Sequence, residues 1–194
     1  MRRTAVRCAV AALFLAVGAP VWAQTGPAPV VMENPPPPPS TLPELSAKEC
    51  EVWARELSFA KSVADHDAAA FAEHLQSGAA FGASRSAPTR GRKAIAERWA
   101  GIIEGKAVRL EWYPTRVTIG GAADVAWSSG PSLFEDRAPD AKQRFSIGSF
   151  HSVWHRDRDG VWRVLFDDGI EGRPVTSAEA MAFRDARRTT CPRG

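Results

Sequence analysis

The periodicity of the chain changes once, at Ala107, and that change limits the fold more than any other feature. Upstream, apolar residues recur every three or four positions: Cys50, Trp53, Leu57, Ala60 and Ala64, then Phe71 and Leu75, then Ile95, Trp99 and Ile102. That spacing puts each set on one face of a helix. Downstream, Val108, Leu110 and Trp112 alternate with polar neighbours, the pattern of a strand with one face buried. Helices first and strands afterwards is an α+β layout.

Local signals sharpen that outline. Ser46-Ala47-Lys48-Glu49 is a capping box that opens the first helix. Asp65-His66-Asp67 interrupts it, and Asp67 caps a short second helix. Residues 79–83 read as a short strand and 84–91 as a loop. Strands are expected over 117–119, 123–129 and 144–155. Asp159-Gly160 suits a tight hairpin turn that returns the chain into a last strand over 161–166. A closing helix starts at Thr176 and ends near Arg188. The strands form an antiparallel meander, and no internal repeat is present.

The first 23 residues have the order of a secretory signal peptide. Arg2, Arg3 and Arg7 make a cationic start, Cys8 to Val17 is an apolar run, and Val21-Trp22-Ala23 offers a cleavage site. The apolar run is too short for a membrane span. Residues 24–45 hold eight of the fifteen prolines, five of them consecutive at 35–39, and form a stiff polyproline spacer. The expected division is therefore a signal peptide over 1–23, a linker over 24–45, a folded domain over 46–170, and a C-terminal helix and tail over 171–194. The expected destination is the periplasm or the exterior of the cell.

Charge narrows the partners. The whole chain carries 25 basic and 22 acidic residues, but three of the basic ones belong to the signal peptide. Without that peptide the chain is formally neutral, with no electrostatic footprint for nucleic acid or an anionic membrane. Cys50 and Cys191 are an even pair in an oxidising compartment, which reads as one disulfide; two unpaired thiols are the alternative. Four scattered histidines make no metal site, and no dinucleotide, phosphate-loop or nucleophile-elbow motif calls for a cofactor.

Three features together resemble a known family: the helix broken at Asp65-His66-Asp67, the helix start Arg90-Gly91-Arg92-Lys93-Ala94-Ile95, and the hairpin running from Phe150-His151-Ser152-Val153-Trp154 through Asp159-Gly160 to Val161-Trp162-Arg163-Val164. Over residues 49–169 the chain is similar to the nuclear transport factor 2-like superfamily, in its SnoaL-like branch. The resemblance implies N-terminal helices packed in a strongly curved antiparallel sheet, a cone-shaped barrel with a cavity at its open end. The superfamily includes ketosteroid isomerases, cyclases and members without chemistry, so fold alone does not settle function. The three roles of a ketosteroid isomerase fall on Phe59, Ala83 and Phe150, none of which can donate or accept the required proton. The resemblance thus implies a cone without that set.

Other residues are candidates. His151 shares one face of the long strand with Phe145, Ile147, Ser149 and Val153 and is a candidate base, or else an imidazole held within the sheet. Asp167 and Asp168 end the last strand on opposite faces; one of them, taken as Asp168, pairs with His151 as an acid/base couple, or both serve the strand end. Phe59, Trp127, Phe150 and Trp154 are the expected ligand-pocket residues. The expected function is an exported cone that binds a small apolar molecule or a protein partner. The alternatives are a lyase, isomerase or cyclase using His151 and Asp168, and a homodimer formed through the outer sheet face.

Overall fold

The computed structural model describes residues 44–193. The expected signal peptide and all but the last two residues of the expected linker lie outside the described residues. Helix α1 (Ala47–Ala64) begins at Ser46, whose side chain accepts from the Glu49 N–H while Glu49 bonds back to the Ser46 backbone. It ends where His66 takes a positive φ of 61°. Asp67 then caps α2 (Ala68–Glu73) by accepting from Ala70 N–H. After β1 (Leu75–Phe81) and the two-residue β2 (Thr89–Arg90) comes α3 (Arg92–Glu104). Among the described residues, no helix is long and apolar enough to cross a membrane.

The remaining strands are β3 (Val108–Trp112), β4 (Arg116–Ile119), β5 (Val125–Asp136), β6 (Phe145–Arg156) and β7 (Trp162–Val175). They form one curled sheet in the order β2-β1-β7-β6-β5-β3, with β4 beside the first half of β5. All pairings are antiparallel except β1 with β7, which is parallel. Because β1 neighbours the last strand, the chain's early helices are enclosed by its late strands.

Curvature comes from places where backbones approach closely. A Cβ on Gly130 would lie 2.0 Å from the Tyr113 carbonyl oxygen, and one on Gly148 would lie 2.4 Å from that of Ile170. Only glycine fits at such contacts. Gly148 also sits at a register shift between β6 and β7, and irregularities of this kind bend a sheet.

The sheet wraps α1, and their contact is the main core: Trp53, Phe59 and Val63 of the helix pack with Trp154, Trp162 and Val164. A second cluster lies on the other face of the sheet, where Ala180 and Phe183 of α4 (Ser177–Asp185) meet Tyr113, Leu133 and Val175. The last strand runs past residue 170 to Val175, so α4 folds back directly from the sheet rather than following a finished domain. Cys50 and Cys191 are bonded with their Cα atoms 5.6 Å apart, and Leu45 N–H donates to the Pro192 carbonyl.

Candidate functional site

Inward-facing residues of a curved sheet converge, and here they enclose a cavity of about 230 Å³. Its walls are aromatic. Phe59 comes from α1, Phe81 from β1, Trp99 from α3, Trp112 from β3 and Phe150 from β6. Phe59 and Trp112 meet edge to face with ring centroids 5.3 Å apart, as do Phe81 and Trp99 at 5.5 Å. Such contacts fix the walls in place.

Polar side chains also reach this apolar space, and Asp167 is one of them. Asp167 of β7 lines the cavity, and Ser152 Oγ on β6 donates to its Oδ2 at 2.9 Å. The two residues are register partners, so the strand pairing itself aims the hydroxyl at the carboxyl. Burial pushes the Asp167 carboxyl up to about 8, and the nearby Glu56 adds to that shift. At neutral pH Asp167 keeps its proton.

Beyond the aromatic wall lies Glu56, fully buried on α1. Trp112 Nε1 donates to its Oε1 at 2.7 Å; Ser128 Oγ and Trp154 Nε1 donate to its Oε2 at 2.6 and 3.0 Å. Burial raises this carboxyl too, against the pull of the Ser128, Trp112 and Trp154 donors. Two carboxyls this close do not both ionise cheaply. Indole N–H groups only donate, so Glu56 accepts from Trp112 and Trp154, and Glu56 in turn raises Asp167.

The mouth of the cavity is charged. Asp168, Arg85 and Arg98 all line it. Burial works against the Asp168 carboxylate, but Ser84 N–H at 2.7 Å and the Arg85 charge outweigh it and hold Asp168 below the usual carboxylate range. Asp167 and Asp168, adjacent in sequence, therefore stand in opposite protonation states.

The expected site residues are divided by the curl of the sheet. Phe59 and Phe150 line the cavity, and Asp168 stands at its rim. Trp154 is fully buried behind the wall as a donor to Glu56. Trp127 lies on the outer face with 37% of its surface exposed, and its ring centroid is 5.4 Å from that of His151. Both belong to the outward set of their strands, because Ser128 and Ser152 beside them point inward. His151 and Asp168 are register partners, but among the described residues no hydrogen bond or ion pair joins their side chains. The expected acid/base couple is set opposite in the ladder without a bond between the two side chains.

Glu56 and Ser152 are not among the residues expected from sequence, and of the two adjacent aspartates the expectation settles on Asp168, not Asp167. A signal for Glu56 exists: it lies three residues after Trp53 and three before Phe59, on the apolar face of the helix. A charge at that spacing is either an error in the helix face or a buried polar centre. Ala83, where the resemblance puts an isomerase base, is exposed just beyond the end of β1.

No family model matches the chain, and no curated protein matches it by sequence. Solved structures do match. A ketosteroid isomerase-like protein from Erwinia carotovora atroseptica SCRI1043 is similar with a TM-score of 0.54 at 13% identity, over 64% of this chain and 96% of that one. A nuclear transport factor 2-like protein of unknown function from Pseudomonas putida KT2440 also gives 0.54 at 13% identity, over 70% and 98%. A domain of unknown function with a cystatin-like fold from Nostoc punctiforme PCC 73102 gives 0.52 at 18% identity, over 73% and 86%. At these identities the likeness is one of fold. The chain has the nuclear transport factor 2-like, or cystatin-like, cone with a C-terminal helix.

Proposed function

We propose that the protein is exported and that its cone binds one compact, largely apolar molecule through an acceptor oxygen, with the Asp167 carboxyl as hydrogen-bond donor. The observation that carries this reading is a proton-bearing carboxyl inside an aromatic-walled cavity. A neutral carboxylic acid in apolar surroundings donates a hydrogen bond that no ionised carboxylate can. The volume, about 230 Å³, lies below the roughly 300–1,000 Å³ range of drug-sized sites, so the ligand is small. Export is supported by the order of the first 23 residues and by the Cys50–Cys191 disulfide, a bond that persists in oxidising compartments.

A second reading, an isomerase or lyase acting on a carbonyl compound, is favoured by one observation. An ionised Asp168 lines the same cavity as the protonated Asp167. Asp167 would hydrogen-bond the carbonyl oxygen while Asp168 accepts the proton of the adjacent carbon, and return of that proton to another carbon completes an isomerisation. One structural neighbour is described as ketosteroid isomerase-like, which makes this chemistry worth testing here.

Native mass spectrometry on protein recovered from an exporting host tests both. The expected spectrum has a small adduct that is lost on denaturation and is absent from Asp167→Ala. A bare protein that also fails to retain any of a panel of compact ketones overturns the binding reading. Proton NMR of the same ketones in deuterium oxide separates the two readings. Deuterium entering the α-carbon with wild type but not with Asp168→Asn marks the enzyme.

A further inference from the structure

The cavity has an apolar body and a proton donor within, but its mouth has a different character. Arg85 reaches it from the loop after β1, and Arg98 reaches it from the exposed side of α3. Among the described residues, neither guanidinium makes a salt bridge or a side-chain hydrogen bond, whereas Arg163, Arg173 and Arg184 are each paired to carboxylates. The acidic groups at the mouth do not cancel the two arginines. Asp168 carries one negative charge, beside Arg85 and already engaged by Ser84 N–H. Asp167, the other carboxyl of the cavity, is uncharged at neutral pH. Arg98 stands at the mouth with no ion-pair partner among the described residues.

An unbalanced guanidinium beside low-dielectric walls concentrates its field at the opening. The planar fork of arginine fits a carboxylate with two parallel hydrogen bonds, and this geometry selects carboxylate over a neutral head. From these residues we infer that the ligand of the cone is a compact apolar monocarboxylate, its ring or chain between the aromatic walls and its carboxylate at the mouth against Arg98 and Arg85. The inference rests on the reading of the cavity as a ligand site and narrows the ligand's class.

The test uses the full chain with its disulfide formed, at pH 6.5 and low ionic strength. Quenching of tryptophan fluorescence follows binding, since Trp99 and Trp112 line the cavity. The probes are 3-phenylpropionate and its neutral amide, which share body and acceptor oxygen and differ in charge. The acid is expected to bind about tenfold more tightly than the amide, the gain of one charge-assisted hydrogen bond over a neutral one. In the double variant Arg85→Gln/Arg98→Gln, acid and amide are expected to bind alike, at the amide's wild-type affinity. Both side chains are exposed, and a thermal melt checks that the variant keeps its fold. If the amide binds as well as the acid, or the preference survives the double substitution, the carboxylate inference is overturned while the cavity remains a binding site. If neither probe binds, and compact ketones also fail, both readings fall together.

Discussion

Asp167 is held in a form that costs the fold stability, and the cost has a definite pH dependence. Its folded pKa of about 8 lies far above the ordinary carboxylate value near 3.9 that it has in the unfolded chain. Between those values the folded state holds a proton that the unfolded state has released, so stability falls as pH rises through that window. His74 works in the opposite sense. Burial, helped by the Arg55 charge, lowers it to about 4 from 6.5, so its contribution is lost as pH falls from 6.5 towards 4. The two overlap at acid pH and separate above 6.5. Urea unfolding from pH 6.5 to 8.5 is expected to show wild type losing on the order of 2 kcal/mol relative to Asp167→Asn, with the variant the more stable throughout. Parallel curves would mean that Asp167 titrates as an ordinary surface carboxyl, and the donor reading would go with it. This residue is half legible in the sequence. Alternation along a strand turns adjacent residues opposite ways, yet both aspartates reach the cavity, and the meeting of Asp167 with Ser152 depends on a register that passes through a shift between Val153 and Trp154. His151 illustrates the converse: strand alternation puts it on one face with Ile147 and Val153, and that face is the outer one, beside Trp127.

At the scale of elements, helices are more legible than strands, because caps and helical spacing are local while strand ends are set by partners. The capping boxes at Ser46 and Thr176 start α1 and α4 where their sequences say they should. Strand β5, by contrast, continues through Gly130-Pro131, a pair that reads as a break. Pro131 lies between Ser129, the last residue paired to β4, and Ser132, the first paired to β3, where a missing N–H leaves no ladder bond unmade on that side. Likewise β7 extends beyond Gly169 to Val175, and this extension carries α4 onto the outer face. The helix covers part of that face chiefly through Phe183, whose ring lies 4.9 Å from that of Tyr113. Phe183→Ala is expected to lower unfolding stability by about 3 kcal/mol, as for other buried phenylalanines, while ligand binding in the cone persists. The two measurements, denaturant unfolding and fluorescence titration, distinguish a clamp on the sheet from a part of the site. A loss of binding in a folded variant would show that α4 shapes the cavity through the strands beneath it.

For the molecule as a whole, the disulfide closes the chain on itself. Cys50 stands in the first turn of α1 and Cys191 follows α4, 141 residues apart in sequence, so the ring formed runs through every helix and strand among the described residues. A link of this span removes most of the extended conformations open to the unfolded domain, and chain entropy puts an upper figure of about 5 kcal/mol on its contribution. Its effect on the folded state is more local. The bond sits in the main core, and Leu45 N–H meets the Pro192 carbonyl beside it, so the two ends of the folded domain are joined by a covalent and a hydrogen bond at one place. From α1 the cavity draws Phe59, further along that helix. These facts separate stability from function. Cys50→Ser/Cys191→Ser is expected to lose roughly 2–5 kcal/mol of unfolding stability and to keep the fluorescence response of the cone to its ligand at temperatures below its lowered melting point. If the double variant instead melts with wild type, the unfolded chain is already compact without the link and the entropic account fails. Reduction of the wild-type protein gives the complementary arm. It should reproduce the loss seen in the variant, and a reductant that leaves stability unchanged while the bond is still intact by mass would mean that the folded domain shields it. Either result bears on export. A domain that depends on this link for several kcal/mol keeps that stability only where thiols are oxidised, which is the compartment to which its first 23 residues are proposed to send it.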